Sequence, residues 1–240
     1  MGAGHSKRRR VGNLKRLSPV KRVPLILERL GGHYELPGHA RPLPPLDALL
    51  LGVLSQNTND ANSDRAFRRL KARFRTWKRV LEAPRAEVEA AVRVAGLWEQ
   101  KAATIQGVLQ RLMADRGSLD LEFLRGLPAE EGRKYLTSLP GIGVKTAALL
   151  LLFRFDKPVF PVDTHIYRVA KRLALLPETA TVDRAHRIFD AMLEPQQMFP
   201  LHVALIMHGR QVCIPRRPRC PACPLLDLCP QVGVTEVTPS

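Results

Sequence analysis

At 240 residues, 45% of them hydrophobic, the chain is long enough to bury one large core or two smaller ones. A formal net charge of +16 and a pI near 10.6 make a polyanion the default partner, and no apolar run reaches the roughly 18 residues of a membrane-spanning helix, so nucleic acid is favoured over a membrane. Aromatics make up only 5%, while Leu, Ala and Arg are abundant, a balance that favours helices over sheets and predicts an all-α fold.

Lys7, Arg8, Arg9, Arg10, Lys15, Arg16, Lys21 and Arg22 all precede the first acidic residue, Glu28. Residues 1–23 therefore read as a basic, disordered tail, either a non-specific DNA arm or a leader. It lacks the apolar segment of a secretion signal, so a cytoplasmic protein is expected. Pro24 to Tyr34 reads as a short helix closed by Gly31-Gly32, and Pro37 to Pro45 as a proline-rich connector.

From Leu46 the apolar positions Leu49, Leu50 and Val53 share a helical face, and the pattern stops at Ser55-Gln-Asn-Thr-Asn-Asp60. Side chains of this kind compete with the backbone for hydrogen bonds and favour a turn and an N-cap. A helix over Ala61 to Phe74 carries Arg65, Arg68, Arg69, Lys71 and Arg73. Shorter helices come next at Thr76 to Leu81 and Pro84 to Arg93, then the turn Val94-Ala-Gly-Leu-Trp98, and an amphipathic helix over Gln100 to Ala114. Leu119 to Leu127 is short, and Pro128 opens a helix ending near Ser138. No stretch alternates polar and apolar residues for long.

Leu139-Pro-Gly-Ile-Gly-Val-Lys-Thr-Ala-Ala-Leu-Leu-Leu-Leu152 joins a proline-glycine turn to a densely apolar helix with Lys145 in its first turn. Glycine allows positive φ and close approach of another molecule. First-turn N–H groups have no intrahelical partner and the helix dipole is positive there, so a phosphate arriving at Gly141 to Lys145 meets ready-made donors. The same potential favours a free amine over an ammonium on Lys145.

Phe153 to Val162, with two prolines, reads as an extended connector. Asp163 then precedes a helix whose apolar face is Ile166, Val169, Ala170 and Leu173. In that position an aspartate is first of all an N-cap, and His165 alone is a surface or core residue.

All four cysteines fall within 17 residues, as Cys213, Cys220, Cys223 and Cys229 in the pattern C-x6-C-x2-C-x5-C. With no cysteine elsewhere to pair with, they read as a metal site rather than a disulfide framework. Zinc and a [4Fe-4S] cluster both accept four thiolates, and the long x6 and x5 loops lean towards iron–sulfur. Arg210, Arg216, Arg217 and Arg219 make the loop basic.

Three signatures taken together, Leu139-Pro-Gly-Ile-Gly-Val-Lys145, Val162-Asp-Thr-His165 with Asp163 eighteen residues after Lys145, and the cysteine spacing, give the chain a close resemblance to endonuclease III. That is the iron–sulfur DNA glycosylase and AP lyase of the helix-hairpin-helix superfamily. The resemblance runs from about Pro24 to Pro230, with His208-Gly209-Arg210 as a further match. It implies two helical domains flanking a DNA-binding cleft: a six-helix domain over 44–155 with the helix-hairpin-helix, and a cluster domain formed by 24–43 plus 156–230, with 231–240 as a tail. It implies a monomeric, nucleoid-associated bacterial enzyme acting on double-stranded DNA with damaged pyrimidines or abasic sites, and a [4Fe-4S] cluster on the four cysteines.

By the same resemblance Lys145 is the nucleophile that forms a Schiff base at C1′, Asp163 assists it, and the 3′ phosphate leaves by β-elimination. Gly141, Gly143, Val144, Thr146 and His165 contact DNA, and the gap left by the flipped nucleotide is filled from the Ser55 to Asp60 turn and by Leu97. The commonest bacterial pattern there is Leu-Ser-Ala-Gln-Ala-Thr-Asp, whereas this chain reads Leu54-Ser-Gln-Asn-Thr-Asn-Asp60. The wedge is then Asn57 position for position, or Gln56 with a small shift. The alternatives are a monofunctional mismatch or damaged-base glycosylase, against which Lys145 argues, and a non-catalytic damage-binding protein, which has no need of the Lys145 and Asp163 pair.

Overall fold

The computed structural model describes residues 14–36 and 43–238. Among these the fold is all-α, without a strand: α1 (Pro19–Gly31), α2 (Pro45–Ser55), α3 (Asp60–Phe74), α4 (Trp77–Glu82), α5 (Arg85–Val92), α6 (Trp98–Arg116), α7 (Ala129–Ser138), α8 (Val144–Phe155), α9 (Thr164–Arg172), α10 (Val182–Met192) and α11 (Pro195–Gln211). Short 3-10 turns lie at Arg93–Ala95, Glu122–Gly126 and Cys220–Ala222. The chain divides into two compact units, one continuous (Arg41–Lys157) and one made of Met1–Ala40 with Pro158–Ser240.

In the continuous unit, proline at the first helical position starts α2, where its missing N–H is no loss. Asn59 caps α3 by accepting from the Asn62 N–H at 2.9 Å. The described residues of this unit form seven α-helices, one more than the six-helix block that the resemblance implies. Among them the short α4, expected over Thr76 to Leu81, is separated from α3 because Arg75 turns the chain at φ 62 and Thr76 provides a new N-cap. Leu50, Val53 and Leu54 of α2, Leu70 of α3, Ile105, Leu109 and Leu112 of α6, and Ala147, Ala148 and Leu151 of α8 are sealed from solvent. Each large side chain so buried stabilises the fold by about 1.5–3 kcal/mol. The helix α8 runs on to Phe155, so the extended connector expected from Phe153 is shorter than its prolines suggest; Asp156 ends the helix in the left-handed region.

The other unit packs α9 against α11, and α1 against α11. Its core includes Ile26, Leu30, Phe160, Ile166, Val169, Phe189 and Leu205, with the rings of Phe160 and Phe189 4.6 Å apart. Here the expectation of a tail over 1–23 is corrected, since α1 begins at Pro19, and Pro24, expected as the helix start, lies inside it. Pro24 is solvent-exposed, so the carbonyl its missing N–H leaves over can turn to water. Arg22 is buried, its guanidinium donating to the carbonyls of Leu173 and Ala174 at the end of α9. Val23 and Ile26 carry the helix into the core. Lys7 to Arg10, and most of the connector expected over Pro37 to Pro45, lie outside the described residues. At the other end, residues 231–238 are tied back: the Val232 N–H donates to Arg172 O at 3.2 Å and the Thr238 N–H to Pro218 O at 3.0 Å.

Candidate nucleic-acid interface and cysteine centre

The hairpin between α7 and α8 is held from inside by Leu139 and Ile142, both buried, with the Ile142 N–H closing on Leu139 O at 3.2 Å. Gly141 sits at φ 70 and packs so closely on α6 that a Cβ there would stand 2.6 Å from Thr104 Oγ1. Glycine is required at that position for both reasons. Gly143 is the N-cap of α8 and has no side chain with which to cap, and the first intrahelical bond is Ala147 N–H to Gly143 O at 3.0 Å. The amides of Val144, Lys145 and Thr146 are therefore left for an outside acceptor at the positive end of the helix. Lys145 is exposed, and among the described residues its amine has neither a hydrogen-bond nor an ion-pair partner.

Two turns of the same unit present the other candidate residues. Gln56 is half-buried and donates from Nε2 to Gly141 O at 3.3 Å, so it is tied to the hairpin. Asn57 next to it is exposed at φ 52. Asparagine is among the few residues that enter the left-handed region readily. Leu97 is left-handed too, at φ 48, and 52% exposed, which is unusual for a leucine with both a strained backbone and an apolar side chain. Between α2, α3 and α8 runs a groove of about 430 Å³, lined among others by Gly52, Ser55, Asp60, Thr146 and Phe153.

Asp163 and His165 belong to the other unit. Asp163 is the N-cap of α9, its Oδ1 accepting from the Ile166 N–H at 2.8 Å. The second carboxylate oxygen has no hydrogen-bond partner among the described residues. His165 is half-buried, with Nδ1 3.2 Å from an Arg168 guanidinium nitrogen. Gly209 lies so close beneath it that a Cβ would be 2.9 Å from that of His165.

All four cysteines are free thiols, and they line one cavity walled by Val169, Leu173, Val212 and Leu225. Burial and the neighbouring sulfurs push the Cys223 thiol up to about 12 and the Cys229 thiol to about 11, so four bare thiolates would not share this cavity without a cation. Hydrogen-bond donors already face the sulfurs. The Leu225 N–H lies 3.4 Å from Cys223 Sγ, the Gln231 N–H 3.4 Å from Cys229 Sγ, and Arg172 Nη1 3.4 Å from Cys213 Sγ. Among the described residues no three His, Cys, Asp or Glu side chains converge closely enough for a single ion.

Two arginines outside the loop also reach the centre. Arg210, Arg216, Arg217 and Arg219 are exposed, whereas Arg168 and Arg172 of α9 donate to the carbonyl of Cys213 at 3.0 and 3.4 Å. Sequence reasoning misses both, because nothing local marks a contact that spans more than 40 residues. It also misses Tyr34, whose Oη lies 3.1 Å from His208 Nδ1, and the 3.6 Å approach of His208 Nε2 to Cys223 Sγ.

Comparisons with known proteins agree with this geometry. A DNA-glycosylase-named chain of Arabidopsis thaliana is 41% identical over 165 residues, 69% of this chain and 56% of that one, so this chain spans little more than half of that plant relative. The endonuclease III of Sulfolobus acidocaldarius is 34% identical over 183 residues, 75% of this chain and 79% of its own length. Among solved structures, that of a trapped covalent intermediate of endonuclease III with DNA matches with a TM-score of 0.75 and 28% identity, over 88% of this chain and 96% of that one. The family described as HhH-GPD superfamily base excision DNA repair protein matches residues 51–195. A hairpin that offers uncapped amides beside a free lysine thus lies inside a matched region covering more than half of the chain, which belongs to the HhH-GPD superfamily of base excision DNA repair proteins.

Proposed function

We propose that the chain is a bifunctional DNA glycosylase and AP lyase that excises oxidised pyrimidines and nicks the resulting abasic site. The observation that carries this reading is the exposed, unpartnered amine of Lys145 in an uncapped first turn, beside a glycine hairpin able to seat a backbone phosphate. The lysine amine attacks C1′, the C1′–N bond to the base breaks, and the Schiff base acidifies C2′ so that the C3′–O bond to phosphate is cleaved by β-elimination. Asp163 keeps one oxygen on its helix cap and has the other available to stabilise positive charge developing on the sugar. Gly141, Gly143, Val144, Thr146 and His165 hold the backbone, and the groove beside Thr146 accepts the extruded base.

Asn57 and Leu97 fill the gap in the stack. Exposure and a left-handed backbone at both positions support this assignment, and the hydrogen bond of Gln56 to the hairpin argues for Asn57 over Gln56. The four cysteines fit a [4Fe-4S] cluster. They share a cavity without converging on one point, and N–H donors face their sulfurs, as cluster thiolates require. The cluster supplies a rigid clip for the loop 213–229 when bound.

Borohydride trapping on a duplex with an abasic site tests the lyase chemistry. The expected result is a covalent adduct lost in Lys145→Ala; excision without any trappable adduct would instead establish the monofunctional alternative. For the cluster, anaerobically purified protein is expected to be brown, with iron and labile sulfide, and zinc alone would refute it.

A further inference from the structure

Lys101 is buried to 3% exposure, and among the described residues it has no carboxylate partner. Its Nζ donates to Leu54 O and to Ala95 O, each at 2.8 Å. Both carbonyls close an element: Leu54 is the penultimate residue of α2, and Ala95 the last of the 3-10 turn. Carbonyls at such ends lack intrahelical donors, so one ammonium caps two elements together. Each element then runs straight into an exposed left-handed residue, Asn57 after Leu54 and Leu97 after Ala95. The Lys101 backbone N–H adds a bond of 2.9 Å to Leu97 O.

The same side of α6 touches the hairpin. One turn on from Lys101, Thr104 lies against Gly141, and one turn further a Cβ on Gly107 would be 3.0 Å from Pro140 Cγ. Lys101, Thr104 and Gly107 stand three residues apart and share a face. That face meets the end of α2 just before the Ser55 to Asp60 turn, the end of the 3-10 turn just before Gly96-Leu97, and the Leu139 to Gly143 hairpin. An apolar side chain would fill the place of Lys101 without the penalty of a buried, unpaired charge, so packing does not account for a lysine there. What an ammonium adds is reach to two carbonyls on two different segments.

We propose that this face of α6 is a ruler that fixes the spacing of the two inserting turns, and that Lys101 is the positioning residue acting through Asn57 and Leu97. The inference rests on the reading of those two residues as the groups that enter the duplex. It names a function for a buried charge that neither touches DNA nor takes part in the lyase chemistry.

The test uses the full chain and a duplex with 2-aminopurine opposite an abasic site, in which insertion changes the fluorescence. Lys101→Met, Leu97→Ala and the double variant are compared in stopped flow, with circular dichroism and affinity for undamaged duplex as controls. Lys101→Met is expected to slow the insertion step about tenfold, the weight of a lost charged hydrogen bond. Affinity for undamaged duplex should hold, because phosphate contacts carry it. The double variant should be no slower than the slower single variant, since both act on one step through one turn. Multiplying effects, or an unchanged rate in Lys101→Met, would overturn the proposal. An unchanged rate in Leu97→Ala alone would instead overturn the inserting role of Leu97. Should Lys101→Met fail to fold, Lys101→Gln, whose shorter side chain keeps a donor but does not bridge the two carbonyls, takes its place with the same expected slowing and non-additivity.

Discussion

Tyr34 and His208, 174 residues apart in sequence, are joined by a buried hydrogen bond of 3.1 Å between Oη and Nδ1, and the far nitrogen of the same imidazole lies 3.6 Å from Cys223 Sγ. A thiolate only accepts hydrogen bonds, so a ligating Cys223 fixes the proton on Nε2 and leaves Nδ1 to accept from the tyrosine. Burial keeps the imidazole neutral, its pKa pushed down to about 4. Tyr34→Phe is expected to destabilise the protein by about 1–3 kcal/mol in urea unfolding, by leaving Nδ1 unsatisfied. In the iron-loaded protein His208→Leu should lower the reduction potential by removing an N–H donor to sulfur. An unchanged potential would detach the imidazole from the cysteine centre.

The helix cap of Asp163 and the catalytic task proposed for it are separated by substitution. Asparagine caps a helix about as well as aspartate, whereas alanine loses about 1 kcal/mol. Asp163→Asn should therefore unfold like the parent yet excise slowly, while Asp163→Ala should lose stability as well. Equal activity of Asp163→Asn and the parent in single-turnover excision would leave the residue with its cap alone.

Gly141 and Gly143 should respond differently to the same change. Alanine at 141 meets both a φ of 70 and the Thr104 side chain, so Gly141→Ala is expected to destabilise by about 1–3 kcal/mol and to weaken DNA binding. At 143 no atom stands within 4 Å of a new Cβ, and φ is −88. Gly143→Ala should keep the parent's melting temperature, and any loss of DNA affinity in that variant reports the approach of the phosphate itself.

Asn57→Ala is expected to slow base excision from a duplex more than Gln56→Ala does. The first removes the exposed tip, and the second a single bond to Gly141 O. Excision rates on one lesion paired with each of the four opposite bases provide the check; the reverse order would make Gln56 the inserting residue.

Burial lowers the pKa of Lys101. The unfolded chain then binds the extra proton over the window between the folded pKa and the unfolded value near 10.5, so the penalty of burying the charge is relieved as pH rises through that window. Against Lys101→Met, the parent should gain relative stability in urea unfolding as pH rises towards 10.5. A flat difference would show an ammonium compensated by its two carbonyls.

Features set by neighbours in sequence are legible in the chain. The hairpin, the cap at Asp163 and the grouping of the four cysteines each depend on a few adjacent residues, and the helices α2, α3 and α8 come from apolar spacing. Arg22 and Lys101 are not legible in this way. Each is a charge at a position where pattern reading expects solvent, and each is buried because a distant carbonyl pair waits for it: Leu173 and Ala174 for Arg22, Leu54 and Ala95 for Lys101. Only the assembled fold brings those carbonyls together. Sequence keeps Asn57 and Gln56 as alternatives for a related reason, since choosing between them needs the bond to Gly141.

The N-terminal helix has a consequence for how the chain is made. Arg22 bonds to Leu173 and Ala174, Arg29 to Asp227 at 2.8 Å, and Tyr34 to His208, so α1 and the residues just after it are fastened by partners at least 151 residues further along the chain. The unit Arg41–Lys157 is contiguous and has its own core as soon as Lys157 emerges. This helix is thus made before that unit and completed after it, and in between its apolar face is uncovered, an interval in which chaperones and proteases have access to it.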